Sequence, residues 1–200
     1  MHSELMQWIS TGGRILGSLF YYEPTSAQAK SALAFFQQPD WALQWGNVEN
    51  PQTITFIQQG LQQDLSAQYQ ALFIGPNALP APPWGSVYLD PEAVIFGNSL
   101  LDLRDFLARH QIAFSASQQE PEDHFGLMLM LSAYLAENKQ ELLSEFLSRH
   151  FLIWSGRYLE LLTAQSDYPF YQGLGLLARQ TLREWQEELA LIVPKAQFYR

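Results

Sequence analysis

The sequence has no cysteine, and this absence excludes several kinds of chemistry at once. Disulfides, thiolate metal sites and cysteine nucleophiles all need the thiol group. A chain without disulfides fits a reducing compartment, so we expect a cytoplasmic protein. The N-terminal segment carries Glu4 and has no basic region ahead of an apolar run, which argues against a secretory signal.

Basic residues are also scarce, with 11 Lys and Arg against 20 Asp and Glu and a formal net charge of −9. A chain this acidic repels the phosphates of nucleic acids and the headgroups of anionic lipids. We therefore expect no nucleic-acid partner. Cationic peptides and basic protein segments are the partners that the charge favours.

Long apolar helices are missing as well. The longest charge-free stretch at helical spacing, residues 125–136, is far shorter than the roughly 20 residues that a bilayer requires, so we expect no stable membrane insertion. Residues 65–89 carry no formal charge, but prolines and glycines interrupt them at Gly75, Pro76, Pro80, Pro82, Pro83 and Gly85. Long loops are usually functional or disordered, and this one is too apolar for disorder. It is predicted to be a recognition surface for an apolar ligand.

Strand signals are nearly absent, and apolar residues recur at helical spacing along most of the chain. The pattern predicts an all-α, single-domain bundle over residues 1–200, with about eight to ten helices and a long Pro-rich loop. The predicted helices are 4–22, 26–37, 51–73 with a bend at Gly60, one capped by Asn98 or Ser99, 120–137, one ending near 150, 151–165 and 169–190. Residues 86–89 are predicted to be extended.

Prolines and capping residues set several of these boundaries. Asn50 before Pro51 is typical of a helix start, and Pro169 is expected to begin the last helix. Glu120 followed by Pro121 is likewise predicted to open a helix. Asn138, with Glu141 three residues later, resembles a capping box.

Glu120, Asp123 and His124 belong to a short segment rich in carboxylates. One interpretation is structural: acidic side chains at a helix N-terminus stabilise the helix dipole by about 0.3–1 kcal/mol each. The other starts from helical spacing, which would place the three side chains on one face. Such a face could hold an arginine guanidinium through two hydrogen bonds. Both interpretations remain open at this point.

His124 next to an acid also permits a catalytic interpretation, although a hydrogen-bonded structural histidine is commoner. His2, His110 and His150 do not have ligand-like spacing, so we expect no metal site. No phosphate-binding loop, dinucleotide fingerprint or nucleophile elbow is present. We therefore predict no cofactor, and a turn serine at Ser86 rather than a nucleophile.

The sequence Pro82-Pro83-Trp84 (residues 82–84, the Pro-Trp ledge) combines a stiff backbone with a large amphipathic ring. Tryptophan is enriched at binding hot spots. Leu72 and Phe73 lie near Tyr69 on the preceding helix at spacings of three and four residues. Core packing would require the same residue types, so a binding groove and a core are equally good interpretations.

Three motifs in order resemble the signature of the DmsD/TorD family. They are Tyr69-x-x-Leu72-Phe73-x-Gly75-Pro76, Pro82-Pro83-Trp84-Gly85-Ser86-Val87-Tyr88 and Glu120-Pro121-x-Asp123-His124. The similarity extends over nearly the whole chain and is greatest to the DmsD branch, which serves dimethyl sulfoxide reductase. Members are all-helical cytoplasmic chaperones dedicated to molybdoenzymes that the twin-arginine pathway exports.

The resemblance implies a leader-binding pocket and its residues. By position these are Tyr69, Leu72, Phe73, Pro83, Trp84, Gly97, Glu120, Asp123 and His124. Two positions depart from the pattern, since Tyr69 and Asn77 stand where relatives carry tryptophan. Tyr69 keeps an aromatic ring and Asn77 does not, which affects the pocket shape and the choice of leader.

The resemblance also implies a function. The chain would bind the twin-arginine signal peptide of an exported molybdoenzyme, a dimethyl sulfoxide reductase-like catalytic subunit, and hold it back until folding and cofactor loading are complete. Its partners would be the leader, the reductase precursor and components of the translocase. No bond is made or broken, so we predict a chaperone and not an enzyme. The alternatives are an Asp/His-dependent hydrolase or nucleotide-binding protein, and an interaction module that binds the folded reductase.

Overall fold

The fold is seen in a computed structural model that describes residues 2–113 and 120–200, without the side chain of residue 2. These ranges contain eleven α-helices and two π-helical segments. The α-helices are α1 His2–Tyr21, α2 Ala27–Phe36, α3 Trp41–Trp45, α4 Pro51–Gly60, α5 Leu65–Tyr69, α6 Gly85–Leu89, α7 Asn98–Arg109, α8 Phe125–Asn138, α9 Gln140–Phe146, α10 Leu152–Thr163 and α11 Pro169–Glu188. The π-helical segments are Gln70–Ile74, which continues α5, and Leu147–Phe151, which joins α9 to α10.

The predicted all-α bundle is confirmed. The described ranges contain no strand, and their β-type pairing is limited to one isolated bridge between Trp84 and His124. Because the π-helical segments continue their neighbours without a break, the helices merge into ten continuous stretches, within the predicted range. In the described part of the chain, no helix is long and apolar enough to cross a bilayer.

Several helix starts were predicted correctly or to within one residue. The Ser26 hydroxyl accepts the amide hydrogen of Ala29 at 3.2 Å and caps α2. The Asn50 side chain accepts from Gln52 at 3.0 Å, one residue before Pro51 opens α4. Pro169 begins α11 as predicted.

Other boundaries were wrong. The predicted helix 51–73 ends at Gly60, because the Asp64 carboxylate caps a new helix by accepting from Ala67 at 3.0 Å. Residues 86–89 are helical in α6 rather than extended. A short apolar run does not distinguish a buried strand from a buried helix, which explains this error. The short helix α3 was not predicted.

Three further helix starts also differ from prediction. The segment from Glu120 is not helical, and α8 starts at Phe125 with His124 as its N-cap. Asn138 ends α8 instead of capping α9, whose cap position is Lys139 without a side-chain bond. Residue 97, rather than Asn98 or Ser99, occupies the cap position of α7. The break predicted near residue 150 is a π-helical segment.

Two glycines allow α1 and α8 to pack at short range. A Cβ atom at Gly17 would lie 2.8 Å from the carbonyl oxygen of Gly126, and one at Gly126 would lie 2.9 Å from the carbonyl oxygen of Gly17. Each backbone therefore occupies the space that the other's side chain would need. This contact fixes the start of α8, and with it the position of His124.

Candidate functional site

The Pro-Trp ledge and the acidic turn (residues 120–123) are joined through their backbones. The Gly85 amide donates to the carbonyl oxygen of Asp123 at 3.2 Å, and the Phe125 amide donates to that of Pro83 at 2.7 Å. These bonds form the antiparallel bridge that sets Trp84 opposite His124. Two segments that are far apart in sequence therefore meet at the beginning of α8.

Trp84 and Glu120 are in direct contact. The indole Nε1–H donates to Oε2 of Glu120 at 3.0 Å, and both side chains are half-buried. The neighbouring Glu122 forms an ion pair with Arg104 at 2.8 Å. No cationic side chain in the described ranges pairs with Glu120, so part of the surface of this carboxylate is available to a ligand.

Asp123 is buried, with 4% of its surface exposed. Its Oδ2 accepts the amide hydrogen of Ser86 at 2.7 Å, while its Oδ1 is buried and has no hydrogen-bond partner in the described structure. Burial raises the pKa of Asp123, and the hydrogen bond from the Ser86 amide offsets part of that effect. The carboxyl group is thus fixed by the Ser86 amide through one oxygen, and its other oxygen lacks a hydrogen-bond donor.

A cavity of about 780 Å³ lies beside Asp123. Its apolar lining comes from α6, α7 and α10 and includes Leu89, Leu103 and Ile153. Its polar lining consists of Asp123, the acids Asp102, Asp105 and Glu145, the bases Arg109, Arg149 and His150, and Ser99. The cavity is large enough for side chains of a peptide, and Asp123 forms part of its wall.

His124 is also buried, with 4% of its surface exposed, and has a structural role. Its Nδ1 accepts the amide hydrogen of Gly126 at 3.1 Å and caps α8. Its ring packs edge-on against Tyr21 and Trp84, with centroids 5.4 and 6.0 Å apart. Burial lowers the pKa of His124 to about 3, so the imidazole is neutral and a poor general base at neutral pH.

The structure corrects the predicted geometry of the acidic turn. Because α8 begins only at Phe125, Glu120, Asp123 and His124 do not lie on one helix face. The two carboxylates also do not form a shared surface for one guanidinium, since Asp123 is buried and Glu120 alone of the pair is partly exposed. The proximity of Trp84 to the acidic turn does follow the prediction.

Tyr69, Leu72 and Phe73 lie in the core, with exposures of 6%, 1% and 5%, and Pro83 is buried as well. The Tyr69 hydroxyl donates to the carbonyl oxygen of Tyr21 at 2.6 Å, and its ring stacks on Phe73 at 4.9 Å. Phe73 in turn lies 6.5 Å from the His124 ring. These residues support the site from behind, and their contact with a ligand stays a prediction.

Gly97 is half-buried, in the cap position of α7, where a Cβ atom would lie 2.3 Å from Cγ of Asp90. No motif pointed to Asp90 as a site residue. Its carboxylate accepts the hydroxyl of Ser99 at 2.6 Å and the Ser99 amide at 3.3 Å. Gly97 therefore leaves room for the carboxylate that caps α7.

Asn77 stands where relatives of the predicted family carry tryptophan, and it is exposed in the structure.

The described residues contain no group of three or more His, Cys, Asp or Glu side chains that could hold a metal ion. The site thus consists of an indole, a partly exposed carboxylate and a buried carboxyl group, and the last of these belongs to a residue that lines a cavity of mixed polar and apolar character. Such an arrangement suits recognition of a ligand that is both cationic and apolar.

Comparison with a solved structure agrees with this fold. The crystal structure of an Archaeoglobus fulgidus protein described as a candidate redox enzyme maturation protein matches with a TM-score of 0.53 and 22% sequence identity. The match covers 95% of this chain and 94% of the other. The all-α bundle is therefore the fold of that class of protein.

Sequence comparison identifies the family as well as the fold. The family model described as "Nitrate reductase delta subunit" matches residues 47–160. A Haemophilus influenzae protein named "Probable Tat proofreading chaperone DmsD" is 57% identical over 199 residues, which cover 98% of each chain. The "Tat proofreading chaperone DmsD" of Salmonella paratyphi A is 42% identical, with 94% of this chain and 93% of the relative covered.

The chain belongs to the nitrate reductase delta subunit family and, within it, to the Tat proofreading chaperones of the DmsD type. The resemblance read from the three motifs is thereby confirmed. So is the prediction that the protein is a chaperone rather than an enzyme, because the named relatives are chaperones.

Proposed function

We propose that this chaperone binds the twin-arginine signal peptide of an exported molybdoenzyme precursor at the Trp84–Glu120 site. Its client would be a dimethyl sulfoxide reductase-like catalytic subunit in the cytoplasm. Binding holds the precursor back from export until the enzyme has folded and received its cofactor. Components of the translocase would be further partners at the moment of release.

The contact between Trp84 and Glu120 carries the proposal. A twin-arginine leader joins two guanidinium groups to an apolar stretch, so its receptor needs a free carboxylate beside an apolar surface. Glu120 supplies that carboxylate, and the half-buried Trp84 indole lies against it at 3.0 Å. The net charge of −9 attracts a cationic peptide toward the site.

Asp123 offers a second anchoring point. Its buried Oδ1 has no donor in the described structure, and the residue lines the cavity of about 780 Å³. A guanidinium that enters the cavity would supply the missing donor and stabilise the charged carboxylate. Asp123 thus favours an arginine over a neutral side chain at this position.

The energies are consistent with reversible binding. A hydrogen bond to a charged group contributes about 1.5–3 kcal/mol, and ordering a disordered leader costs about 2–5 kcal/mol or more. We therefore expect a dissociation constant in the micromolar range, which corresponds to roughly −8 kcal/mol. Such affinity permits release once the enzyme has matured.

The test is calorimetry with a synthetic twin-arginine leader peptide. Glu120→Gln and Trp84→Ala should each weaken binding at least several-fold, roughly in line with the loss of one charged hydrogen bond. Glu188→Gln is the matched control, because Glu188 is an exposed acid at the end of α11 and its loss removes the same charge. If all three variants bind like the wild type, the proposed site is wrong.

A further inference from the structure

We infer that an exposed apolar arm, residues 94–96, together with Leu101 of α7, forms the docking surface for the apolar stretch of the leader. This inference rests on the proposed function and assigns the part of the peptide that Glu120 and Asp123 do not bind. Leu72 and Phe73 offer little surface for that role, because they are 1% and 5% exposed.

Large apolar side chains are concentrated on the arm. Val94, Ile95 and Phe96 are 50%, 36% and 62% exposed, and Leu101 on the following helix is 52% exposed. Four such side chains within eight residues (94–101) form a surface that water solvates poorly. Large exposed apolar side chains concentrated in one segment, rather than scattered singly, mark an interaction site.

The backbone holds the arm outward. Ala93 and Phe96 have φ angles of 49° and 72°, in the left-handed region that residues with a side chain rarely adopt. The base of the arm is fixed at Asp90, whose carbonyl oxygen accepts the amide of Ala93 at 2.9 Å and whose carboxylate binds Ser99. Strained backbone held between fixed points is typical of functional loops.

The arm is connected to the acidic turn. The guanidinium carbon of Arg104 lies 5.9 Å from the centroid of the Phe96 ring, and the same guanidinium pairs with Glu122 at 2.8 Å. Glu122 is two residues from Glu120, which binds the Trp84 indole. The apolar arm and the proposed arginine site therefore lie on either side of one ion pair.

The charges around the arm indicate which kind of peptide binds to it. Residues 90–105 carry the exposed acids Glu92, Asp102 and Asp105, the buried Asp90, and the single base Arg104, which pairs with Glu122. An apolar surface in acidic surroundings fits a peptide whose apolar stretch adjoins positive charges, and a twin-arginine leader has that chemistry. A neutral apolar peptide would gain nothing from these carboxylates.

The test measures the affinity of two synthetic peptides by calorimetry. One is the twin-arginine leader, and the other keeps both arginines but has serines in place of its apolar residues. Ile95→Ser/Phe96→Ser and, separately, Leu101→Ser should weaken binding of the leader about tenfold and leave binding of the serine peptide unchanged. Leu43→Ser is the control, because Leu43 is an 84% exposed leucine in α3.

The outcomes separate this inference from the proposed function. If the arm variants bind the leader like Leu43→Ser while Glu120→Gln weakens binding, the arm is not the docking surface and the proposed function stands. If the wild type binds neither peptide, the proposed function fails and this inference fails with it. If light scattering shows that the wild type self-associates and Phe96→Ser does not, with leader binding unchanged, a second copy covers the arm and the inference is overturned.

Discussion

The carboxylate of Asp123 accepts the amide hydrogen of Ser86 at 2.7 Å and leaves its other oxygen buried without a donor in the described structure. Buried polar atoms nearly always have partners, so an exception is informative. Asp123 also lines a cavity whose other charged residues are both acidic and basic. The fold thus leaves one acceptor of a cavity-lining residue without a donor.

The difference in unfolding free energy between Asp123→Asn and the wild type should shift in favour of the variant as the pH rises from 4 to 7. The folded-state pKa of Asp123 is raised by burial, so its ionisation above the ordinary value of 3.8 favours the unfolded chain. Asparagine keeps an oxygen for the Ser86 amide and carries no charge to desolvate. Urea unfolding at both pH values measures the effect; a relative loss of stability with rising pH would contradict it.

His124 should contribute a pH dependence of the opposite sign. Its pKa is about 3 in the folded state and 6.5 ordinarily, so the unfolded chain binds the proton more readily. The stability from neutral His124 is therefore complete above pH 6.5 and is lost toward pH 3, by up to about 1.4 kcal/mol per pH unit.

His124→Asn tests this contribution, because asparagine also caps helices and does not titrate in this range. The variant will lose the ring contacts with Tyr21, so its stability should be lower at every pH. The measured quantity is the slope of the unfolding free energy between pH 4.5 and 6.5, which should be less positive than in the wild type. Equal slopes would mean that His124 is not kept neutral by burial.

The close contact of α1 with α8 predicts that Gly17→Ala lowers the free energy of unfolding. The new Cβ would lie 2.6 Å from Cγ of Met130 and 2.8 Å from the carbonyl oxygen of Gly126, so a backbone must move. Overpacking of this kind costs about 1–3 kcal/mol. Denaturant unfolding followed by circular dichroism gives the value.

Gly156→Ala is the matched control for that experiment. Gly156 lies inside α10, and a Cβ there meets no atom within 4 Å. Alanine should therefore stabilise the helix by about 0.5–1 kcal/mol through its lower backbone entropy. Destabilisation of similar size in both variants would show that packing between α1 and α8 is not the cause.

Local signals account for the part of the fold that was predictable. Asn50 with Pro51 and Ser26 act through atoms a few residues away, and the structure shows both caps. Asn138 failed as a cap although its sequence pattern was equally good, because α8 extends through it. Tertiary packing decides between such alternatives, and sequence spacing does not contain that information.

The sequence predicted which residues meet at the site but not how deeply they are buried. Trp84 and the acidic turn meet as the motifs implied, whereas the burial of Asp123 depends on the backbone pairing of residues 83–85 with 123–125. Asp90 gave no signal, because nine residues separate it from the Ser99 hydroxyl that it binds. The residue types at Tyr69 and Phe73 were equally consistent with a core and with a binding groove, and the structure places both in the core.

The backbone bridge between Trp84 and His124 has a mechanical consequence. Because bonds from the amides of Gly85 and Phe125 lie on either side of it, a force on the acidic turn is transmitted directly to the proline-rich segment. The two segments should therefore move together as one rigid unit. A ligand that contacts either segment would then displace both together.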